Sequence, residues 1–146
     1  MTETSPPPAE LAARVWSALQ AFVDAQDRRR ELREALDLGR GLGRVTVLLE
    51  LTRRPMTLRD VAEANGVDAP YATVIVDKLE SRGLVRRTAH PDDARRKLVV
   101  LTAAGREAAE LARRILTEPP ADLAALPPAD LALLDEILAR LSPPRG

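Results

Sequence analysis

Two consecutive helices are predicted between residues 57 and 83 by the spacing of apolar side chains. Thr57 is suited to cap the first helix, because its hydroxyl can accept a hydrogen bond from a free backbone N–H. Asn65-Gly66 ends that helix, since both residue types tolerate the left-handed conformation of a helix end. Asp68 caps the second helix and Gly83 ends it. A tight turn therefore joins the two helices.

The segment that follows has the pattern of a β-hairpin. Residues 84 to 88 and 96 to 101 are predicted to form two strands, and the sequence AHPDDA between them is rich in turn-forming residues. Helix, turn, helix and two-stranded ribbon, in this order, predict a winged helix-turn-helix.

The second helix has two distinct faces. Its apolar stripe comprises Ala72, Ile75, Val76 and Leu79. The opposite face carries Tyr71, Thr73, Val74, Asp77, Lys78 and Ser81. In a helix-turn-helix, side chains on this opposite face point into a DNA major groove. The chain as a whole is neutral, with 22 basic and 22 acidic residues, but six basic residues stand against two acidic ones between Ser81 and Lys97. This local excess is sufficient for an electrostatic footprint on DNA.

A longer pattern identifies the family that the sequence resembles. The wing follows the motif DxRxxxVxLTxxG, whose fixed positions are Asp93, Arg95, Val99, Leu101, Thr102 and Gly105. The run VDKLESRGLVRR, at 76 to 87, matches the recognition helix and the strand after it. Together they resemble the multiple-antibiotic-resistance regulator (MarR) family of bacterial transcription factors. The resemblance also implies that Met56 adds a short third strand to the wing.

The resemblance implies a fold that is mainly α with a small β-wing, and it divides the chain. Residues 9 to 146 are expected to form one domain, whose winged helix-turn-helix spans about 42 to 102. N- and C-terminal helices, at about 9 to 38 and 103 to 142, are expected to mediate dimerisation, because each has a wide apolar face. Residues 1 to 8 are polar and proline-rich and are predicted to be a disordered tail.

By the same resemblance, the protein is a homodimeric, sequence-specific regulator that binds a pseudo-palindromic operator in double-stranded DNA. It is expected to be a repressor that a small-molecule ligand releases. An alternative remains open at this point: a winged-helix module for protein contact or dimerisation that does not bind DNA. Such a module would lack a basic wing tip.

The residues predicted to contact DNA are Pro70, Tyr71, Thr73, Val74, Asp77, Lys78, Arg82, Arg86, Asp93, Arg95 and Arg96. Arg95 is expected to enter a narrow minor groove while Asp93 holds its guanidinium at a fixed angle. The alternative for this pair is an ordinary exposed salt bridge. Val74 either contacts a thymine methyl group or marks a helix that relies on DNA shape. Tyr71 either contacts phosphate or packs at the start of the helix.

A ligand site is also implied by the resemblance. Small apolar or phenolic ligands of the family bind between the dimerisation helices and the winged domain. The corresponding lining here is Trp16, Leu19, Gln20, Val23, Val45 and Leu48. The alternative is that these side chains are simply core at a dimer interface. A small aromatic ligand is therefore a candidate partner.

Composition excludes several other kinds of site. The chain has no cysteine, which excludes disulfides, thiolate metal sites and cysteine-based oxidant sensing. Its one histidine, His90, lies in a turn, and a metal site needs several such ligands. No catalytic constellation is recognisable, so the sequence predicts no enzyme activity, metal or cofactor. With no signal peptide and no apolar run long enough for a membrane span, a cytoplasmic protein is expected.

Overall fold

The first helix of the chain begins at Pro8, and the computed structural model describes residues 6 to 141. In order along the described chain, the elements are α1 (Pro8–Ala25), α2 (Arg28–Leu36), α3 (Gly43–Leu51), α4 (Leu58–Asn65), α5 (Ala69–Ser81), β1 (Val85–Ala89), β2 (Lys97–Leu101), α6 (Ala103–Thr117), α7 (Ala121–Ala124) and α8 (Pro128–Leu141). The expected fold class, mainly α with a small β-wing, is confirmed.

The chain divides into two compact units, one up to Leu116 and one from Thr117 onward. The first contains α1 to α5, the sheet and almost all of α6, and the second contains α7 and α8. Residues 1 to 5 of the predicted tail at 1 to 8 lie outside the described part of the chain. Position 142, the predicted end of the last helix, lies outside it as well. None of the helices in the described ranges combines the length and apolarity that crossing a membrane requires.

Local hydrogen bonds set the bounds of the two central helices. Thr57 and Asp60 form a capping box, in which each side chain accepts a hydrogen bond from the other residue's backbone N–H. Gly66 ends α4 in the left-handed conformation, with φ of 61°. Asp68 then caps α5 by accepting a hydrogen bond from the N–H of Tyr71. The predicted helix-turn-helix is therefore present, with the predicted caps.

The hydrophobic core lies where α3, α4 and α5 pack on the sheet. Its largest fully buried side chains in this region are Val47, Leu48, Val61, Val76, Leu79, Val85 and Val99. The apolar stripe predicted for the second helix is confirmed, because Ala72, Ile75, Val76 and Leu79 are all buried. The other face of α5 is consequently left at the surface.

The sheet pairs β1 with β2 in an antiparallel register that sets Val85 opposite Leu101 and Ala89 opposite Lys97. Each strand begins and ends within one residue of its predicted bounds. Met56 adds a single bridge to Val99: its N–H donates to the Val99 carbonyl at 3.1 Å, and the Val99 N–H donates back at 2.7 Å. The short third strand is therefore reduced to one bridge.

The predicted helical stretch at 9 to 38 is two helices rather than one. Asp27 adopts the left-handed conformation, with φ of 41°, and its side chain accepts a hydrogen bond from the N–H of Arg30. Asp residues tolerate this conformation because their short side chains can bond to nearby backbone. The break lets α2 bury Leu32 and Leu36 in the core, although most of its other side chains are charged.

Candidate nucleic-acid interface

The surface face of α5 carries the side chains that the sequence predicted there. Tyr71 and Val74 are about half exposed, at 52% and 50%, and Asp77 and Lys78 are exposed as well. Val74 lies exposed beside these charged residues, so its methyl groups are accessible to a partner. This face is therefore suited to a DNA groove, where thymine presents a methyl group.

Two predicted DNA contacts, Thr73 on α5 and Arg82 just after it, already have partners within the protein. The Thr73 hydroxyl donates its hydrogen to the carbonyl of Ala69 at 3.1 Å. Thr73 can therefore offer a ligand only its oxygen, as an acceptor, and its methyl group. Arg82, in the turn after α5, forms an ion pair with Asp37 at 2.9 Å. Asp37 itself has φ of 48° and ends α2. Arg82 thus ties the end of the recognition helix to the end of α2.

The wing tip differs in one respect from its predicted geometry. Asp93 accepts a hydrogen bond from the backbone N–H of Arg95 at 3.0 Å, and the structure gives no ion pair between their side chains. A second bond, from the Arg96 N–H to the Asp93 carbonyl, closes the turn. In the DNA-free protein Asp93 therefore makes no ion pair with the Arg95 guanidinium, and its role in orienting that group on DNA stays a prediction. Asp93 shapes the backbone of the turn instead, and the Arg95 side chain is exposed.

Four of the basic side chains predicted to contact DNA project into solvent without an ion pair among the described residues. Lys78, Arg86, Arg95 and Arg96 are all exposed, and none forms an ion pair with another residue in the range 6 to 141. Pro70, in the first turn of α5, is exposed too. A cation without an internal partner is available for a phosphate oxygen, so these four supply a positive surface.

Arg87, which the sequence did not single out, joins the wing to the recognition helix. Its Nη2 lies 2.6 Å from Oδ1 of Asp77, and its Nη1 lies 2.7 Å from Oε1 of Glu80. Nothing in the local pattern signals this contact, because the partners are on different elements. Asp77 is therefore present at the predicted face, but as one member of an ion-pair cluster.

The six residues predicted to line a ligand site occupy two environments. Val45 and Leu48 are buried in the core, whereas Trp16 and Val23 are 62% and 65% exposed on α1. Leu19 is half-buried and Gln20 is exposed. None of the six lines the cleft of about 500 Å³ found between the end of α3, β2 and α6. That cleft is bordered by Arg53, Arg54, Arg106 and Arg113 and by one carboxylate, Glu110.

Solved structures share this arrangement over nearly the whole chain. YusO from Bacillus subtilis has a TM-score of 0.74 at 22% identity, covering 93% of this chain and 97% of that one. A variant of MepR from S. aureus bound to an oligodeoxyribonucleotide has a TM-score of 0.67 at 24% identity, covering 87% and 98%. A probable transcriptional regulator from Pseudomonas aeruginosa is 33% identical over 84% of this chain and 94% of its own, with a TM-score of 0.50.

The helix-turn-helix and the two-stranded wing define the class of winged helix-turn-helix proteins. A search of curated proteins finds no match. The family model described as "MarR family" matches residues 36 to 96, which contain the helix-turn-helix and most of the wing. The chain belongs to the MarR family, whose members are transcription regulators and not enzymes.

Proposed function

We propose that this protein is a homodimeric cytoplasmic repressor that binds a pseudo-palindromic operator and is released by a small aromatic ligand. The observation that carries the proposal is the set of predicted DNA-contact residues that are exposed cations without an internal ion pair: Lys78, Arg86, Arg95 and Arg96. Phosphate contacts supply much of the affinity of such proteins for DNA. The DNA-bound MepR variant, which shares the fold, supports this assignment.

Two parts of the interface would have different tasks. The face of α5 that carries Pro70, Tyr71, Thr73 and Val74 would enter the major groove and read base edges. Arg95 at the wing tip would enter the adjacent minor groove, where the potential is most negative if the groove is narrow. Asp93 supports this by closing the turn that presents Arg95.

A second copy of the chain is the proposed partner of the terminal helices. No residue of α1 is buried within the described chain, and Leu11, Val15, Trp16 and Val23 are each about half exposed or more. An exposed apolar stripe of this size on an 18-residue helix is unfavourable in water, and helices in proteins gain most of their stability by packing such a face. Covering it with a symmetric copy would stabilise both. Residues 42 to 102 would then carry DNA binding, and the helices outside them dimerisation.

The ligand site is proposed where α1 of the dimer meets the core beneath Val45 and Leu48. Trp16, Leu19, Gln20 and Val23 would supply its outer wall. A ligand bound there would change the spacing between the two recognition helices of the dimer. Its effect on DNA affinity would be limited to the difference between its affinities for the spacing that fits DNA and the spacing that does not.

The decisive experiment is a gel-shift against the DNA upstream of the protein's own coding region, in competition with a shuffled duplex of equal length. Specific binding by a dimer, with half-site centres about 10 base pairs apart, is the expected result. Equal affinity for the upstream and shuffled duplexes would show that the protein binds DNA without sequence specificity, which contradicts binding to an operator in that region. Absence of any DNA binding at low salt would instead favour a protein-contact module and contradict the proposal.

A further inference from the structure

Asp77 and Glu80 place two carboxylates one turn apart on α5, and both are contacted by one guanidinium. Arg87, on β1, donates from Nη2 to Asp77 and from Nη1 to Glu80 at 2.6 and 2.7 Å. The Arg87 side chain is only 22% exposed, whereas those of Asp77 and Glu80 are 61% and 44% exposed. A planar fork with several fixed donors suits such a double contact better than the point charge of a lysine.

Alternation along β1 gives Arg86 and Arg87 different surroundings. Successive side chains of a strand point to opposite faces, so Arg86 and Arg87 lie on opposite faces of β1. Arg86 is exposed without an ion pair within the described residues, while Arg87 is half-buried against α5. Pairing of Arg87 with Val99 in the sheet fixes the backbone from which its side chain extends. The backbone position of Arg87 is therefore set by the sheet.

The charges of this cluster matter because α5 is the element proposed to enter DNA. Two carboxylates on the recognition helix repel each other and repel the phosphates that flank a groove. With Arg87 in place the three groups sum to one negative charge, and without it they sum to two. Arg87 also holds both carboxylates toward the wing strand, which connects the orientation of α5 to that of the wing.

We infer that Arg87 is a positioning residue for DNA binding: it screens Asp77 and Glu80 and fixes α5 to the wing, and it does not itself contact DNA. The inference rests on the proposed DNA-binding function. It differs from a phosphate-contact role, in which Arg87 would add affinity whether or not the two carboxylates were present.

The experiment compares Arg87→Met in the parent and in a background carrying Asp77→Asn and Glu80→Gln. Affinity for a fluorescent mixed-sequence duplex is measured by anisotropy over a series of salt concentrations. Arg87→Met should lower affinity by about tenfold in the parent, because two carboxylates become unscreened. In the doubly neutralised background the same change should cost less than about threefold, since nothing remains to be screened.

Arg86→Met provides the matched control, because it removes the same charge from the adjacent residue of the same strand. Its loss of affinity should be equal in both backgrounds, as expected of a direct phosphate contact. Arg87→Lys should give an intermediate loss that also disappears in the neutralised background. This lysine variant takes the place of Arg87→Met if circular dichroism shows that the methionine variant does not fold.

Equal losses for Arg87→Met in both backgrounds would overturn the inference and assign Arg87 to direct contact. Unchanged affinity in the parent would overturn it as well. Both outcomes leave the proposed function standing, because the parent still binds DNA. If the parent binds no duplex even at low salt, the proposed function fails first and the inference fails with it.

Discussion

Gly105 lies directly against the backbone of Leu84: a Cβ placed on Gly105 would be 1.8 Å from the Leu84 carbonyl oxygen. Thr102 completes this junction. Its N–H donates to the Leu84 carbonyl at 3.1 Å, and its hydroxyl donates to the Gly83 carbonyl at 2.6 Å and accepts from the Gly105 N–H at 3.0 Å. Thr102 and Gly105 of the wing motif thus fix the start of α6 against the turn after α5.

Gly105→Ala is expected to destabilise the protein, although alanine normally favours a helix over glycine by about 1 kcal/mol. The added methyl group meets backbone, which cannot rotate away, so the expected net loss is about 1 to 3 kcal/mol. Urea unfolding at fixed protein concentration measures the difference. Gly43→Ala is the control, because its Cβ would meet the Asn65 side chain at 3.0 Å and not backbone. Equal stability of Gly105→Ala and the parent would show that the start of α6 can move away from the Leu84 carbonyl without cost.

The capping box of α4 should make part of the stability depend on pH. The backbone N–H of Thr57 donates to Asp60 and is the largest cause that lowers the pKa of this carboxyl below its usual 3.8, opposed by partial burial and aided by the Thr57 hydroxyl and by Arg54. A lowered pKa means that the folded protein binds fewer protons. The stability from Asp60 is therefore present above about pH 4 and is lost as pH falls below it through the folded-state pKa.

Asp60→Asn tests this directly. Near neutral pH it should lower the free energy of unfolding by about 1 kcal/mol, because the charge-assisted hydrogen bond from the Thr57 N–H becomes a neutral one. As pH falls through the folded-state pKa of Asp60, the difference between the parent and the variant should shrink, since the parent carboxyl then becomes protonated. A difference that stays constant from neutral pH down to the acid unfolding of the protein would argue against ionisation of Asp60 as the cause.

Arg95→Ala should weaken binding to every duplex and reduce the slope of log affinity against log salt by about one. Thr73→Ala should mainly relax specificity, because its methyl group and acceptor oxygen face the proposed groove. Arg29→Ala, which removes an exposed arginine from α2, is the charge-matched control. If Arg95→Ala bound all probes as tightly as the parent, the minor-groove assignment of the wing tip would be incorrect.

Val15→Glu should convert the proposed dimer to a monomer at micromolar concentration, as measured by sedimentation equilibrium. Val15 is 51% exposed and lies on the apolar stripe of α1. Burying a carboxylate without a partner at a symmetric interface is strongly unfavourable. Ser17→Glu, on the opposite side of the same helix, should remain dimeric. Dimers from both variants would exclude this face of α1 as the interface.

Trp16 offers a label-free test of the ligand site, because it is the only tryptophan in the chain. Titration with benzoate or a hydroxybenzoate should change its emission and release operator DNA over the same concentration range. Arg106→Met distinguishes the arginine-lined cleft from this site, because Arg106 borders the cleft and Trp16 does not. If the variant abolishes DNA release while the Trp16 response persists, the regulatory ligand binds in the cleft and the proposed site is wrong.

Features that depend on neighbours within one or two turns were readable from the sequence. Thr57 and Asp68 cap their helices through residues three positions ahead, and Gly66 ends α4 because it adopts a left-handed φ readily. The apolar stripe of α5 follows from helical periodicity alone. These are the features that place the helix-turn-helix, and with the wing motif they identify the family.

Contacts between elements could be identified only from the tertiary structure. Arg82 meets Asp37 across 45 residues of sequence, and Arg87 meets Asp77 across 10. Whether such charges pair depends on how α2, α5 and β1 pack, which no local pattern encodes. The same holds for Asp93, whose side chain bonds to the backbone of its own turn in place of the neighbouring guanidinium. An exposed carboxylate gains little from a mobile surface partner and more from a fixed N–H two residues away, and only the folded turn decides between them.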